Sequence, residues 1–386
     1  MVINTKSESV LIYNFNRNLH QNIHNKIIFY KMNTTLGLSV EKTKLSKINE
    51  VEWENLSFGT IPTDHMFICN YKQGNWQDPK IVPFQPISLS PFAHCFHYGQ
   101  TIFEGLKAFR REDGDITVFR PGANYKRMAI SAERMCMPVI PRDIYFEGMH
   151  SLLELDEKWL PLKEDVSLYI RPFMIATEPK MGVKVSDQYS FMIVASPSGK
   201  YFSSPLRLKV ETEFVRTAEG GVGYAKCGGN YGASYYPAQQ ARDAGFDQVI
   251  WTDCKNHEYI EESGVMNIMM VVDDELLTPA LSTSILAGIT RESMLLLGKE
   301  YGLNPVERKI SVKQLRTWLA EGKVKEAFGA GTAAVISPIK EIAIGEELFS
   351  VPIQNNSFMT WAKQMLNEIK RGTREDIYNW NYVIRL

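Results

Sequence analysis

Between Val51 and about Ser196 the apolar residues follow two rhythms. Residues 65–71, 116–119, 167–170 and 191–195 are short runs rich in β-branched and aromatic side chains, as strands are. Residues 123–136 and 143–159 instead repeat apolar positions every three or four residues, as one face of a helix does. The alternation predicts an α/β unit. Pro197-Ser198-Gly199-Lys200-Tyr201-Phe202-Ser203-Ser204-Pro205 then gathers Pro, Gly and Ser, the composition of a connection, and marks a domain boundary. Strand-like runs return at 206–214, 248–253, 265–272 and 275–277, the last two joined by an Asp273-Asp274 turn. Helical periods occupy 234–244, 290–301, 312–321 and 358–371, the first opening on Ser234 as an N-cap. The expected fold class is α/β (α+β, two domains): a small N-terminal domain over 32–197, an interdomain linker over 198–205 and a larger C-terminal domain over 206–386. A chain of 386 residues is long enough for two ordinary cores with a cleft between them.

Composition narrows the function classes. Hydrophobic residues make up 44% and charged residues 23%, the usage of a globular protein and not of a disordered or fibrous one. Lys and Arg (43) nearly balance Asp and Glu (44), so no overall field draws nucleic acid or an anionic membrane, and any anion site must be local. No stretch approaches the roughly twenty apolar residues that span a bilayer. The five cysteines, Cys69, Cys95, Cys136, Cys227 and Cys254, are scattered and form no C-x-x-C pair, which fits a reducing cytoplasm and offers no metal site. The first 31 residues, rich in Asn and His, read as a disordered extension. A mitochondrial presequence is the rival reading, against which stand Glu8 and the scarcity of Arg; Met32 offers a second start.

Candidate chemistry concentrates in Gly220-Gly221-Val222-Gly223-Tyr224-Ala225-Lys226-Cys227-Gly228-Gly229-Asn230-Tyr231-Gly232, where a single lysine sits among glycines. Glycines let backbone crowd a ligand, and desolvation there favours the neutral amine that adds to a carbonyl. The plain alternative is a flexible loop with a solvated lysine. A pyridoxal cofactor would also need an acid at its ring nitrogen, for which Glu262 is a candidate, and a phosphate site. Two segments suit the phosphate: Leu286-Ala287-Gly288-Ile289-Thr290-Arg291, where a helix begins, and the small-residue loop Gly329-Ala330-Gly331-Thr332-Ala333-Ala334. Taken singly, these are as well explained by a solvated carboxylate and by helix caps. Neither segment matches the nucleotide-binding glycine patterns.

Lys226-Cys227-Gly228-Gly229-Asn230-Tyr231 resembles the K-x-G-G-N-Y element of the branched-chain amino-acid aminotransferases, a fold-type-IV pyridoxal-phosphate family. Phe58-Gly59-x-x-x-Thr63-Asp64-His65-Met66, Phe103-Glu104-Gly105-Leu106-Lys107-Ala108-Phe109, Tyr169-Ile170-Arg171-Pro172, the Glu262 segment and Gly329-x-Gly331-Thr332-Ala333 resemble further family elements in the same order, so the resemblance covers about residues 45 to 345. It implies a small N-terminal α/β domain, a larger C-terminal domain with a barrel-like sheet, and pyridoxal 5'-phosphate between them. By the same resemblance Lys226 is the Schiff-base lysine and proton shuttle, Tyr231 bonds the cofactor's phenolic oxygen, and Glu262 pairs with the pyridinium nitrogen. Arg127, Leu286, Gly288, Ile289, Thr290 and Thr332 are the implied surroundings of the phosphate.

The resemblance also implies a substrate pocket formed by Phe58, Tyr98, Phe103, Gly105, Tyr169, Tyr201 and Gln248. Arg171 there receives a distal carboxylate, and Thr332 and Ala333 receive the α-carboxylate. The expected reaction is reversible ping-pong transamination of Leu, Ile and Val with 2-oxoglutarate, by a homodimer that places one subunit's loop near the other's pocket. Val265 stands where animal members tend to have Thr, and Ala334 and Ser337 stand where they have a C-x-x-C pair. A D-amino-acid aminotransferase or an aminodeoxychorismate lyase is the competing reading within the fold, and a non-catalytic binding protein is the competitor outside it.

Overall fold

Alternating burial along the strands builds two sheets. The computed structural model describes residues 36–163, 166–199, 202, 204–333 and 335–386, and Leu36–Leu386 form one compact unit. The first sheet orders Ser39–Val40, Asn75–Pro83, His65–Lys72, Tyr189–Ser198, Ser167–Ala176, Leu106–Arg110, Ile116–Phe119 and Asn381–Ile384, with Thr101–Phe103 added beside Ser167–Ala176. The second orders Ile260–Ser263, Gln248–Thr252, Leu206–Val210, Val335–Ile344, Val324–Gly331, Asn267–Val272, Glu275–Thr278 and Asn304–Glu307, with Glu347–Ser350 added beside Val335–Ile344. This second sheet is the barrel-like one expected of the C-terminal half. No described helix is long and apolar enough to cross a membrane.

The expected helices form close to their predicted limits, at Pro121–Arg134, Arg142–Leu155, Tyr235–Asp243, Ile289–Tyr301, Val312–Ala320 and Phe358–Arg371. Three expectations need correction. The strand Tyr189–Ser198 runs through Pro197 and Ser198 into the expected linker. It can do so because its pairing with His65–Lys72 stops at Ile193, so beyond that point Pro197 needs no N–H toward that neighbour. The segment 329–331 is not a loop but the end of the buried strand Val324–Gly331; a Cβ on Gly329 would come within 2.6 Å of Met266 Sδ, so the small residue is there for close packing. Ser234 precedes its helix, but its hydroxyl donates to the Tyr231 carbonyl (2.7 Å) and caps no helical N–H. The strand Asn381–Ile384, from the far end of the chain, closes the edge of the first sheet on Ile116–Phe119.

Each sheet has its own core. Phe67, Phe191, Tyr145, Met149 and Leu152 pack the first sheet against its helices, and Leu208, Ile250, Ile268 and Ile339 fill the second. A third cluster draws on both: Phe109 and Phe119 from the first sheet meet Met269 and Phe328 from the second, with Phe358, Met365 and Leu366 of the helix Phe358–Arg371. That helix is anchored at its start by Ser357, whose hydroxyl accepts from Thr360 N–H, and by Glu326, which accepts from Phe358 and Met359 N–H (2.9 Å each).

Candidate active site

Lys226 lies on an irregular segment pinned from both sides. Ala225 and Cys227 are fully buried, Lys226 N–H donates to Ser131 Oγ (2.9 Å), and its carbonyl accepts from Phe103 N–H (3.0 Å). Two glycines make this path possible: a Cβ on Gly223 would sit 2.4 Å from the Ser284 carbonyl oxygen, and one on Gly228 would sit 2.6 Å from Thr101 Oγ1. The flexible-loop alternative therefore fails, because the lysine backbone is fixed. Lys226 Nζ donates to Tyr231 OH (2.8 Å) and stands 4.9 Å from the centre of the Phe103 ring, at the wall of a cavity of about 430 Å³.

Glu262 enters this cavity from the short strand Ile260–Ser263, which a tight turn at Gly264 separates from Asn267–Val272. Its Oε1 accepts from Leu286 N–H and from Arg216 Nη2 (3.1 Å). Arg216 is itself held by the carbonyls of Gly223 (3.0 Å) and Ser284 (2.8 Å). Burial raises the Glu262 carboxyl above its usual value, against the opposing pull of the Arg216 charge, the Leu286 N–H and Lys226.

Arg127 reaches the cavity from the helix Pro121–Arg134. Glu104 receives its Nε (2.7 Å) and Nη2 (2.8 Å) in a bidentate pair, Asn124 adds a donor to Glu104 Oε2 (2.7 Å), and Arg127 Nη1 donates to the Ala287 carbonyl (2.9 Å). Burial alone would raise the Glu104 carboxyl, but the Arg127 charge and hydrogen bonds hold it below its usual value. Beside Arg127, Gly288, Ile289 and Thr290 open the helix Ile289–Tyr301 toward the cavity with no side-chain cap. A Cβ on Gly288 would lie 1.8 Å from Asn267 Oδ1, so the helix start is seated against the strand Asn267–Val272.

The opposite wall is aromatic. Phe58 and Tyr169 meet edge to face at 4.7 Å, and Arg171 Nη2 donates to Tyr169 OH (2.9 Å) while its guanidinium lies 4.6 Å over the Phe103 ring. Arg171 Nε is buried and has no hydrogen-bond partner among the described residues. Gly105 admits the Tyr169 hydroxyl, which a Cβ would meet at 2.1 Å. Thr332 and Ala333, in the turn after Val324–Gly331, complete the lining.

The structure thus brings together Phe58, Phe103, Gly105, Arg127, Tyr169, Arg171, Lys226, Tyr231, Glu262, Leu286, Gly288, Ile289, Thr290, Thr332 and Ala333. It does not bring in Tyr98, half-exposed at the end of the short helix His94–Tyr98 with its ring 5.2 Å from His94, nor Gln248, whose carboxamide packs on Gly264. Tyr201 and Ala334 lie outside the described residues. Sequence reasoning did not assign Arg216, Glu104, Tyr235 or Met266 a place in this site. Glu104 stood inside a quoted motif, between Ile102-Phe103 and Gly105-Leu106, and an acid set in an apolar run is a signal of a buried carboxylate.

A cavity with a lysine held at one wall, a buried acid and a helix start at another, and a cation set in aromatic rings opposite offers an amine nucleophile beside sites for anionic groups. Residues 101–342 match the family "Amino-transferase class IV", and the chain belongs to that family. Among curated relatives it is similar to "Branched-chain-amino-acid transaminase 1" of Bacillus subtilis (strain 168), 43% identical, with the alignment covering 84% of this chain and 93% of that protein. Among solved structures it resembles the branched-chain amino acid aminotransferase of Escherichia coli (TM-score 0.68, 25% identity, covering 83% of this chain and 99% of that one). A Thermobaculum terrenum branched-chain aminotransferase in its "PLP-form (holo-form)" shares the fold (TM-score 0.68, 20% identity, covering 83% and 98%).

Proposed function

We propose that the protein is a pyridoxal-phosphate-dependent branched-chain amino-acid aminotransferase, exchanging the amino group of L-leucine, L-isoleucine or L-valine with 2-oxoglutarate in a reversible ping-pong cycle. The observation that carries it is the convergence of Lys226, Glu262 and Arg127 with Arg171 and Tyr169 in one cavity. The residues fit the cofactor. Glu262 Oε1 is taken by its protein donors, and no described residue donates to Oε2, so a carboxylate oxygen remains for a protonated ring nitrogen. The uncapped helix start at Ile289 and Thr290, beside Arg127, suits a phosphate. Tyr231 stands at hydrogen-bond distance from the lysine, where a phenolic oxygen of the cofactor would be received.

When bound, the cofactor supplies an aldehyde that condenses with amines and a protonated ring that accepts the electron pair left at Cα. The chain does the rest. Lys226 Nζ would take the proton from the substrate Cα and deliver it to the carbon that bore the cofactor's aldehyde, running the same transfer backwards in the other half-reaction, while Tyr231 OH holds that amine in register. Phe58, Phe103 and Tyr169 give an aliphatic side chain a dry wall. Arg171, whose Nε has no partner among the described residues, receives the distal carboxylate of glutamate when that substrate takes its turn in the same pocket. Thr332 and Ala333 face the α-carboxylate.

The proposal includes a homodimer, consistent with the exposed apolar Phe92, Phe96 and Tyr98 around the helix His94–Tyr98, and residence in a reducing cytoplasm, consistent with five unpaired cysteines. Amino-donor assays across L-Leu, L-Ile, L-Val, D-Ala and aromatic amino acids test it. Preference for the three branched substrates is expected; preference for D-Ala sinks the proposal in favour of a D-amino-acid aminotransferase, and activity on none of them in favour of a lyase of the same fold or a non-catalytic binder.

A further inference from the structure

A second cavity, of about 620 Å³, meets the first at Ala333, which lines both. Its chemistry is different. Lys107 from the strand Leu106–Arg110 and Lys363, Lys370 and Arg371 from the helix Phe358–Arg371 all line it, and no acidic residue does among the described residues. Lys107 and Lys370 are 6% and 7% exposed. Among the described residues neither amine has a hydrogen-bond or ion-pair partner; Lys370 Nζ lies only over ring faces, 4.7 Å from the centre of Phe119 and 5.6 Å from that of Phe109.

Helix geometry makes this arrangement specific. Lys363, Asn367 and Lys370 fall at i, i+4 and i+7, so they form one stripe along the cavity. Phe358, Ala362, Met365, Leu366 and Ile369 fill a different face, which packs into the core. The helix therefore packs an apolar face into the core and turns a basic stripe to the cavity, buried at Lys370 and exposed at Lys363. A lone buried ammonium is costly and is ordinarily paired. Among the described residues these two have no partner, and they are close enough to repel: burial lowers Lys107 to about 8, and burial together with the Lys107 charge lowers Lys370 to about 7. An anion accepting from both amines would reverse both effects at once.

We propose that this cavity is a binding site for a small oxyanion carrying at least two negative charges, held by Lys107 and Lys370 with Lys363 at the rim, and distinct from the amino-acid site. Carboxylate and phosphate groups present the same chemistry to the two amines. The apolar Phe109, Val166 and Ile336 leave room for a short carbon skeleton between charged groups. The site does not depend on the transamination reading, because none of its lysines is assigned to that reaction.

Isothermal titration of the holoenzyme with citrate in one arm and inorganic phosphate in the other, at ionic strength held constant with chloride, tests the proposal. Saturable binding of either probe at one per chain is expected, weakened at least tenfold in Lys107→Met and in Lys370→Met and unchanged in Arg171→Leu; the arm that binds identifies the group recognised. Lys363→Gln, on the exposed rim, provides a variant whose folding is not in question, and severalfold weaker binding is expected from it. Absence of saturable binding in both arms, binding indifferent to all three lysine variants, or binding lost in Arg171→Leu overturns the proposal.

Discussion

Replacing Glu104 with Gln isolates the contribution of the buried pair that holds Arg127. The Glu104 side chain is fully buried and that of Arg127 is 9% exposed, so solvent screens the pair little. Two charge-assisted bonds at 2.7 and 2.8 Å join them, and Asn124 donates a third to the same carboxylate. Gln keeps the volume but replaces one acceptor with an N–H₂ donor facing other donors, and it leaves the guanidinium uncompensated. Breaking one side of such a pair costs about 3–5 kcal/mol. Urea denaturation at neutral pH should show a loss of that order, and titration with pyridoxal phosphate should show roughly tenfold weaker binding, since Arg127 loses its fixed orientation toward the cavity. The pH dependence has a definite sign. The Glu104 carboxyl lies below its ordinary 4.5 in the fold, so its stabilisation is fully present above that value and is lost as pH falls through the lower folded value. The difference between wild type and Glu104→Gln should therefore be constant near neutrality and shrink in acid. A loss under about 1 kcal/mol, the range of a surface pair, would refute the reasoning.

Other perturbations follow from the same geometry. Lys370→Met should stabilise the protein. The ammonium is lowered to about 7 in the fold from 10.5, so the unfolded chain binds more protons between those values and wild-type stability rises with pH across that window. The gain should be largest at pH 7 and below and fade toward pH 10.5, as thermal melts in buffers free of oxyanions can measure; a gain independent of pH contradicts it. Arg171→Leu should raise KM for glutamate and 2-oxoglutarate by about ten- to a hundredfold while changing KM for leucine little, as expected for the loss of a charge-assisted bond. An equal rise for both substrate classes would mean that Arg171 only shapes the pocket. Tyr231→Phe removes the partner of Lys226 Nζ and should lower kcat by roughly tenfold or more with the cofactor still bound; a kcat within about twofold of wild type would show the hydroxyl to be a bystander.

Much of the site was legible because its parts are short and local. Lys226 and Tyr231 are five residues apart, and the helix start at Gly288 to Thr290 has its own glycine and threonine signals. What was not legible depends on contacts across the chain. Arg216 reads as one more arginine on a loop until the fold sets it against Glu262, 46 positions later. Glu104 and Arg127 are 23 apart and on different elements, so neither announces the other. The strand Asn381–Ile384 carries too few apolar residues to be seen without its partner Ile116–Phe119, and Val324–Gly331 was masked by glycines whose purpose is to admit Met266. Tyr98 and Gln248 came with the family resemblance alone, and within one chain they stand away from the cavity.

The most direct test of the account is to reduce the purified protein with borohydride and map the pyridoxyl group by peptide mass spectrometry. A stable adduct on the peptide containing Lys226, absent from Lys226→Ala, is the predicted result. Modification of some other lysine, or none after incubation with excess pyridoxal phosphate, would contradict it.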